Sequence, residues 1–114
     1  MLYESVFVFS GQLSPKVAED KFNKILEQIK KSGGKILKKE SWGLRSLAYK
    51  IKKNSKGYYF MINSDSESKA LNDLNQKIKQ DDEFLRFLNI KIKEVDKELS
   101  YLDESKSKER THEK

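Results

Sequence analysis

Cysteine is absent from this chain, so disulfides and thiolate metal sites are excluded. Histidine occurs once, as His112 close to the end, where it reads as a solvated residue rather than an acid–base catalyst. No apolar run approaches the length of a membrane span and no signal peptide is visible, so the expectation is a soluble protein of the cytoplasm. There is no P-loop, no dinucleotide fingerprint and no cluster with metal-ligand spacing. The acidic pairs Glu19-Asp20, Asp81-Asp82 and Asp103-Glu104 suit helix and turn surfaces, and none has a companion that would make it a general acid or base. Gly33-Gly34 reads as a helix stop rather than a phosphate cradle. These absences leave no catalytic residue, metal site, cofactor or small-molecule substrate to expect, and they turn attention from catalysis to binding.

What the chain has instead is positive charge. Its 114 residues make one domain, and its net charge is +6. Residues 1–92 hold 18 basic and 11 acidic side chains, whereas residues 93–114 hold 6 and 7, so the excess belongs to the body and not to the tail. It is densest between Lys35 and Gly57, which carries eight Lys or Arg against one acid, Glu40. Such a lopsided stretch is too unbalanced for ordinary ion-paired surface and forms a footprint for a polyanion.

In chain order, Leu2 to Ser10 alternates as a strand, with Tyr3, Phe7 and Phe9 on one face and Leu2, Val6 and Val8 on the other. Ser14-Pro15 reads as an N-cap followed by proline at the first helical position. Ala18, Phe22, Ile25, Leu26 and Ile29 then form one helical stripe, with Lys30 and Lys31 at the negative end of the helix dipole. Ile36 to about Ile51 is a long strand, bent or bulged at Trp42-Gly43. The turn formers Asn54-Ser55-Lys56-Gly57 predict the hairpin turn, and Tyr58 to Asn63 the returning strand. Ser66 is the expected N-cap of a second helix bearing Leu71, Leu74 and Ile78. After Asp81-Asp82, Phe84 to Ile92 is a last strand whose core face stays open, because Leu85 and Phe87 compete with Leu88 and Ile90. From Lys93 the chain is highly charged. Residues 93–102 carry Val95, Leu99 and Leu102 at helical spacing, and 103–114 have the composition of a disordered segment.

Strand, helix, strand, strand, helix, strand is the split βαβ order, an α+β ferredoxin-like fold with both helices on one face of a four-stranded antiparallel sheet. The other face is partly apolar whichever way the parity falls, and an exposed apolar patch marks an interaction site. Tyr58-Tyr59-Phe60 on that sheet allows three roles: core packing, a protein interface, or base stacking as in an RNA-recognition motif. Lys56-Gly57-Tyr58-Tyr59-Phe60-Met61 partly matches that motif's signature, with Tyr59 where a small residue belongs and Asn63 where a final aromatic belongs. Trp42 reads as half-buried packing at the bend, and Tyr49 as core because Leu47 and Ile51 share its parity.

The segment Gly43-Leu44-Arg45-Ser46-Leu47-Ala48-Tyr49-Lys50-Ile51-Lys52 resembles the signature of the bacterial small-subunit ribosomal protein six family: a glycine, a basic residue two on, then Leu-Ala-Tyr-x-Ile-basic. Ser46 departs from it, standing where the family has a charged or larger polar residue. Tyr3-Glu4, Gly57-Tyr58-Tyr59, Leu71-Asn72-Asp73-Leu74 and Asp81-Asp82 before Leu85-Arg86 are similar too, so the resemblance covers about residues 2–92 and not the tail. It implies a non-enzymatic ribosomal protein that joins small-subunit (16S-type) ribosomal RNA as a heterodimer with small-subunit ribosomal protein eighteen. It implies Phe60 and Ile62 toward the helices and Tyr59 and Met61 outward. The RNA contacts it suggests are Arg45, Lys53, Arg86 and Lys91, and the partner contacts Tyr59, Met61, Leu88 and Ile90, with the tail assisting. A freestanding RNA-recognition module is the alternative, and a small-molecule regulatory domain on the same fold a third.

Overall fold

Alternating apolar residues put β1 (Leu2–Ser10) at the centre of the molecule, in a computed structural model that describes residues 1–94. Around it stand α1 (Pro15–Lys31), β2 (Lys35–Ile51), β3 (Asn54–Asp65), α2 (Ser68–Ile78) and β4 (Phe84–Ile92). The sheet runs β2-β3-β1-β4 with every neighbour antiparallel. This is the ferredoxin-like arrangement that the element order predicts.

The helices cover one face of the sheet. Tyr3, Phe7, Phe9, Phe60, Ile62 and Phe84 meet Ala18, Phe22, Ile25, Leu26 and Ile29 of α1 and Leu71 and Leu74 of α2. The Ser14 hydroxyl accepts from the Val17 N–H at 3.3 Å, with Pro15 opening the helix. Gly33, at φ +91°, supplies the left-handed conformation that turns the chain out of α1. In β4, a register shift opposite Val8 and Phe9 lets Phe84 and Phe87 both face the helices. It sends Leu88 and Ile90 to the other side and so closes the choice that the sequence leaves open.

Three expectations change. The hairpin turn is Lys52-Lys53, two residues before the predicted site, and Asn54 already belongs to β3, paired with Ile51. Turn-forming composition identified the neighbourhood, but the side chain of Asn54 serves the turn from outside it. The N-cap of α2 is Glu67 and not Ser66. Ser66 stays tied to the sheet, its N–H donating to the Met1 carbonyl at 2.9 Å and its hydroxyl to Ser64 Oγ at 3.1 Å. Tyr49 is 63% exposed rather than core. The register of β2 against β3 is irregular between Ser46 and Ile51, so strand parity does not carry across that segment. The expected helix at 93–102 and the charged end at 103–114 fall, from residue 95 on, outside the described residues.

Candidate nucleic-acid interface

The pairing of β1 with β3 ends at Ser10 and Gly57, but β2 and β3 continue as a two-stranded ribbon to Ile51 and Asn54. Lys52 and Lys53 close it with φ of 48° and 68°. Two successive positive φ values make the turn whose twist matches the strands it joins, a conformation usually given to Asn-Gly. Lysine adopts it here at a steric cost, and the buried Asn54 compensates. Its amide donates to the carbonyls of Ile51 and Lys52 at 3.3 and 3.1 Å and accepts the Ser10 hydroxyl at 2.6 Å. The Lys52 ammonium donates to the Phe84 carbonyl at 3.2 Å, tying the turn to the start of β4. Lys53 is left exposed at the tip.

Arg45, opposite Gly57, stands on the face away from the helices, and its Nε donates to the Trp42 carbonyl at 3.1 Å. Trp42 is the extra residue of a bulge between Ser41 and Gly43, and Gly43 takes φ +77° there. The indole lies nearly parallel to the Tyr59 ring, centroids 6.4 Å apart, and donates to Glu40 Oε1 at 2.8 Å. Across the sheet, Arg86 is exposed on the same face, opposite Val8. Arg45, Lys53 and Arg86 thus lie toward the hairpin end of the sheet, with Arg45 on one edge strand and Arg86 on the other. Lys91 does not join them: it pairs with Tyr3 at the far end of β4, on the helix side.

The outward face has two halves. On the β4 side, Leu88 is 44% and Ile90 59% exposed, beside Val6. On the β2 side, polar groups pair with one another: Asn63 donates to Glu4 Oε1 at 3.3 Å, and Lys38 lies 3.3 Å from Glu40 Oε2. Tyr59 is half-buried beneath Trp42. Met61 faces outward as expected, yet its neighbours cover it to 2% exposure, so it has little surface to offer. Tyr58 and Phe60 face the helices, and Phe60 packs against Phe22 and Phe9. A base-stacking platform built on those two rings is therefore not formed. Sequence reasoning passed over Lys52 and the burial of Glu40. The available signal for Glu40 was its being the one acid among eight cations.

The acidic turn before β4 is structural. Lys21 holds Asp81 at 2.6 Å and Glu83 at 3.2 Å. Partial burial works to raise the Asp81 pKa, but the Lys21 hydrogen bond, the Glu83 N–H and the charges of Lys21 and Lys52 outweigh it and hold the carboxyl below its ordinary value. The same hydrogen bond to Asp81 raises Lys21. Among the described residues there is no group of acids and histidines that could hold a metal, and no helix long and apolar enough to cross a membrane.

The family model described as Ribosomal protein S6 matches residues 2–91. The chain belongs to the ribosomal protein S6 family. Small ribosomal subunit protein bS6 of Rickettsia prowazekii is 41% identical over 113 residues, covering 96% of this chain and 90% of that one. The bS6 protein of Paramagnetospirillum magneticum is 35% identical over 108 residues, covering 95% and 75%. In fold, the chain matches the crystal structure of 30S ribosomal protein S6 from Thermotoga maritima with a TM-score of 0.75 at 24% identity, covering 99% of this chain and 97% of that one. As an S6 protein, the chain is a structural, ribosome-associated protein of the small subunit and not an enzyme. Ser46, where it departs from the family signature, is exposed and pairs with Lys56.

Proposed function

We propose that this protein binds small-subunit (16S-type) ribosomal RNA together with small-subunit ribosomal protein eighteen during assembly of the subunit, in the cytoplasm. The observation that carries the reading is one of adjacency. A basic hairpin end bearing Arg45, Lys53 and Arg86 adjoins an outward sheet face with exposed Leu88 and Ile90. Cations meet phosphates and set the register without reading sequence, while the apolar half docks a protein. Two molecules joined there present one RNA surface. In this arrangement Leu88, Ile90 and the edge of Tyr59 touch the partner, and Met61, on the same face but covered, adds little surface. Lys91, at the other end of β4, reaches the RNA only if the RNA also passes the helix side.

The test measures binding to the central domain of small-subunit RNA with and without protein eighteen, over a range of salt. The reading expects weak binding alone, strong salt-sensitive binding with the partner, and co-sedimentation with small subunits at salt that strips loosely held proteins. Equal RNA affinity with and without the partner would overturn it. Tight binding of short single strands by the isolated chain would instead favour the freestanding module, although the burial of Phe60 at 4% exposure argues against that.

A further inference from the structure

Glu40 stands on the outward face, opposite Met61, yet its side chain has 0% of its surface exposed. Removing a carboxylate from water so completely is costly unless ion pairing and hydrogen bonds replace the lost hydration. Lys38, itself only 10% exposed, approaches Oε2 at 3.3 Å. Oε1 accepts the Trp42 indole N–H at 2.8 Å. That indole lies on Tyr59, and the carbonyl of the same bulge residue accepts Nε of Arg45. One buried carboxylate is therefore linked through one residue to the aromatic pair on the sheet and to a candidate phosphate contact. An indole on a bulge has several staggered rotamers available, and a tether on its N–H selects one. A guanidinium whose Nε is held has the plane of its fork set before a phosphate arrives, which lowers the ordering cost of binding.

We infer that Glu40 is a positioning residue for the RNA interface: its carboxylate pins Trp42 flat on Tyr59, and the bulge carbonyl so fixed sets the pose of Arg45. The inference rests on the proposed role of Arg45 in RNA binding. A buried ion pair that served stability alone would have no need to grip the indole, whereas here Oε1 accepts the Trp42 N–H while Oε2 faces Lys38.

Trp42 is the sole tryptophan of the chain, so its fluorescence reads the tether directly in the intact protein. In Glu40→Ala the emission should shift to the red and iodide quenching should rise. Affinity for the ribosomal RNA in the presence of protein eighteen should fall by about tenfold, the size of one charge-assisted contact. Glu40→Gln keeps an oxygen for the indole, so it should restore emission and most of the affinity even though the negative charge facing Lys38 is lost and the melting temperature stays low. Combined with Arg45→Ala, Glu40→Ala should cost nothing further in affinity. Unchanged emission in Glu40→Ala, or losses that simply add to those of Arg45→Ala, would overturn the inference. If Glu40→Ala does not fold, Trp42→Phe retains a ring and removes the N–H, and additivity with Arg45→Ala overturns the inference equally. A wild-type chain that fails to bind RNA with its partner sinks the proposed function, and this inference with it. A wild-type chain that binds while the losses add sinks this inference alone.

Discussion

Phe22 of α1 lies face to face with Phe60 of β3, ring centroids 4.4 Å apart and planes 17° from parallel. Phe7, paired with Phe60 on the neighbouring strand, also approaches Phe22, at 6.2 Å, so the pair sits inside an aromatic cluster. Truncating either ring leaves a cavity that neighbours on two layers cannot fill. Phe22→Ala and Phe60→Ala should each cost about 3–5 kcal/mol, a large share of the roughly 5–15 kcal/mol available to a domain of this size. Urea titration followed by circular dichroism measures it. A stable Phe60→Ala protein with weakened single-strand binding would show that the ring meets bases and not the core.

The ion pair of Lys21 with Asp81 gives stability a pH dependence that can be assigned to residues. Asp81 titrates lower in the folded chain than in the unfolded one, so its contribution is present above its unfolded pKa and is lost as pH falls through the folded value. Lys21 titrates higher when folded, so its contribution holds below its unfolded pKa and is lost as pH rises through the folded value. Between the two the pair is intact. Melting curves of wild type and Asp81→Asn should therefore differ near neutrality and converge in acid below the folded pKa of Asp81. A difference that persists unchanged into strong acid would mean that Asp81 acts through packing and not charge.

The hairpin tip separates conformational cost from charge. Lys53, at φ 68°, occupies a region where a side chain is disfavoured. Lys53→Gly and Lys53→Ala remove the same ammonium, but glycine also relieves the backbone and should leave the protein about 1 kcal/mol more stable than alanine does. If the ammonium meets a phosphate, both variants should lower the salt slope of RNA binding by up to about one unit. An unchanged slope with unchanged affinity would make Lys53 solvated surface.

Much of this was legible from residue types, and where it failed the cause was register. The α1 stripe and the Ser14-Pro15 cap are local, so spacing alone placed them. The bulge at Trp42 was signalled by Gly43, a glycine inside a strand, which takes a positive φ beside the extra residue. The core face of β4 could not be read, because a register shift beside Phe9 breaks its alternation and lets Phe84 and Phe87 share a side. Tyr49 was misplaced for the same reason. Lys52-Lys53 has no turn signature of its own, since the support comes from Asn54 and from Ser10, which lies 44 residues before Asn54 in the chain. The site shows the same limit: charge density located the hairpin, but nothing in a linear pattern says that Glu40 is buried or that Lys91 lies at the opposite end from Arg86.

The outward face yields the prediction that bears most directly on the partner. Leu88 and Ile90 are exposed while Met61, on the same face and one strand beyond β1, is covered. Residues that bind a partner and residues that hold the fold are thus separable there by mutation. Leu88→Ala with Ile90→Ala removes side chains that are about half exposed, so the melting temperature should fall much less than for a core truncation. If they anchor the interface, affinity for protein eighteen should fall by about 2 kcal/mol or more. Met61→Ala should do the reverse, destabilising the chain by about 2–5 kcal/mol through its cavity while molecules that remain folded keep most of their affinity. Calorimetric titration with the partner, beside thermal melts, reads both quantities on the same samples. A Leu88/Ile90 double variant that binds like wild type would move the docking surface off the β4 half of the sheet. The apolar exposure of β4 would then be surface without a role in assembly.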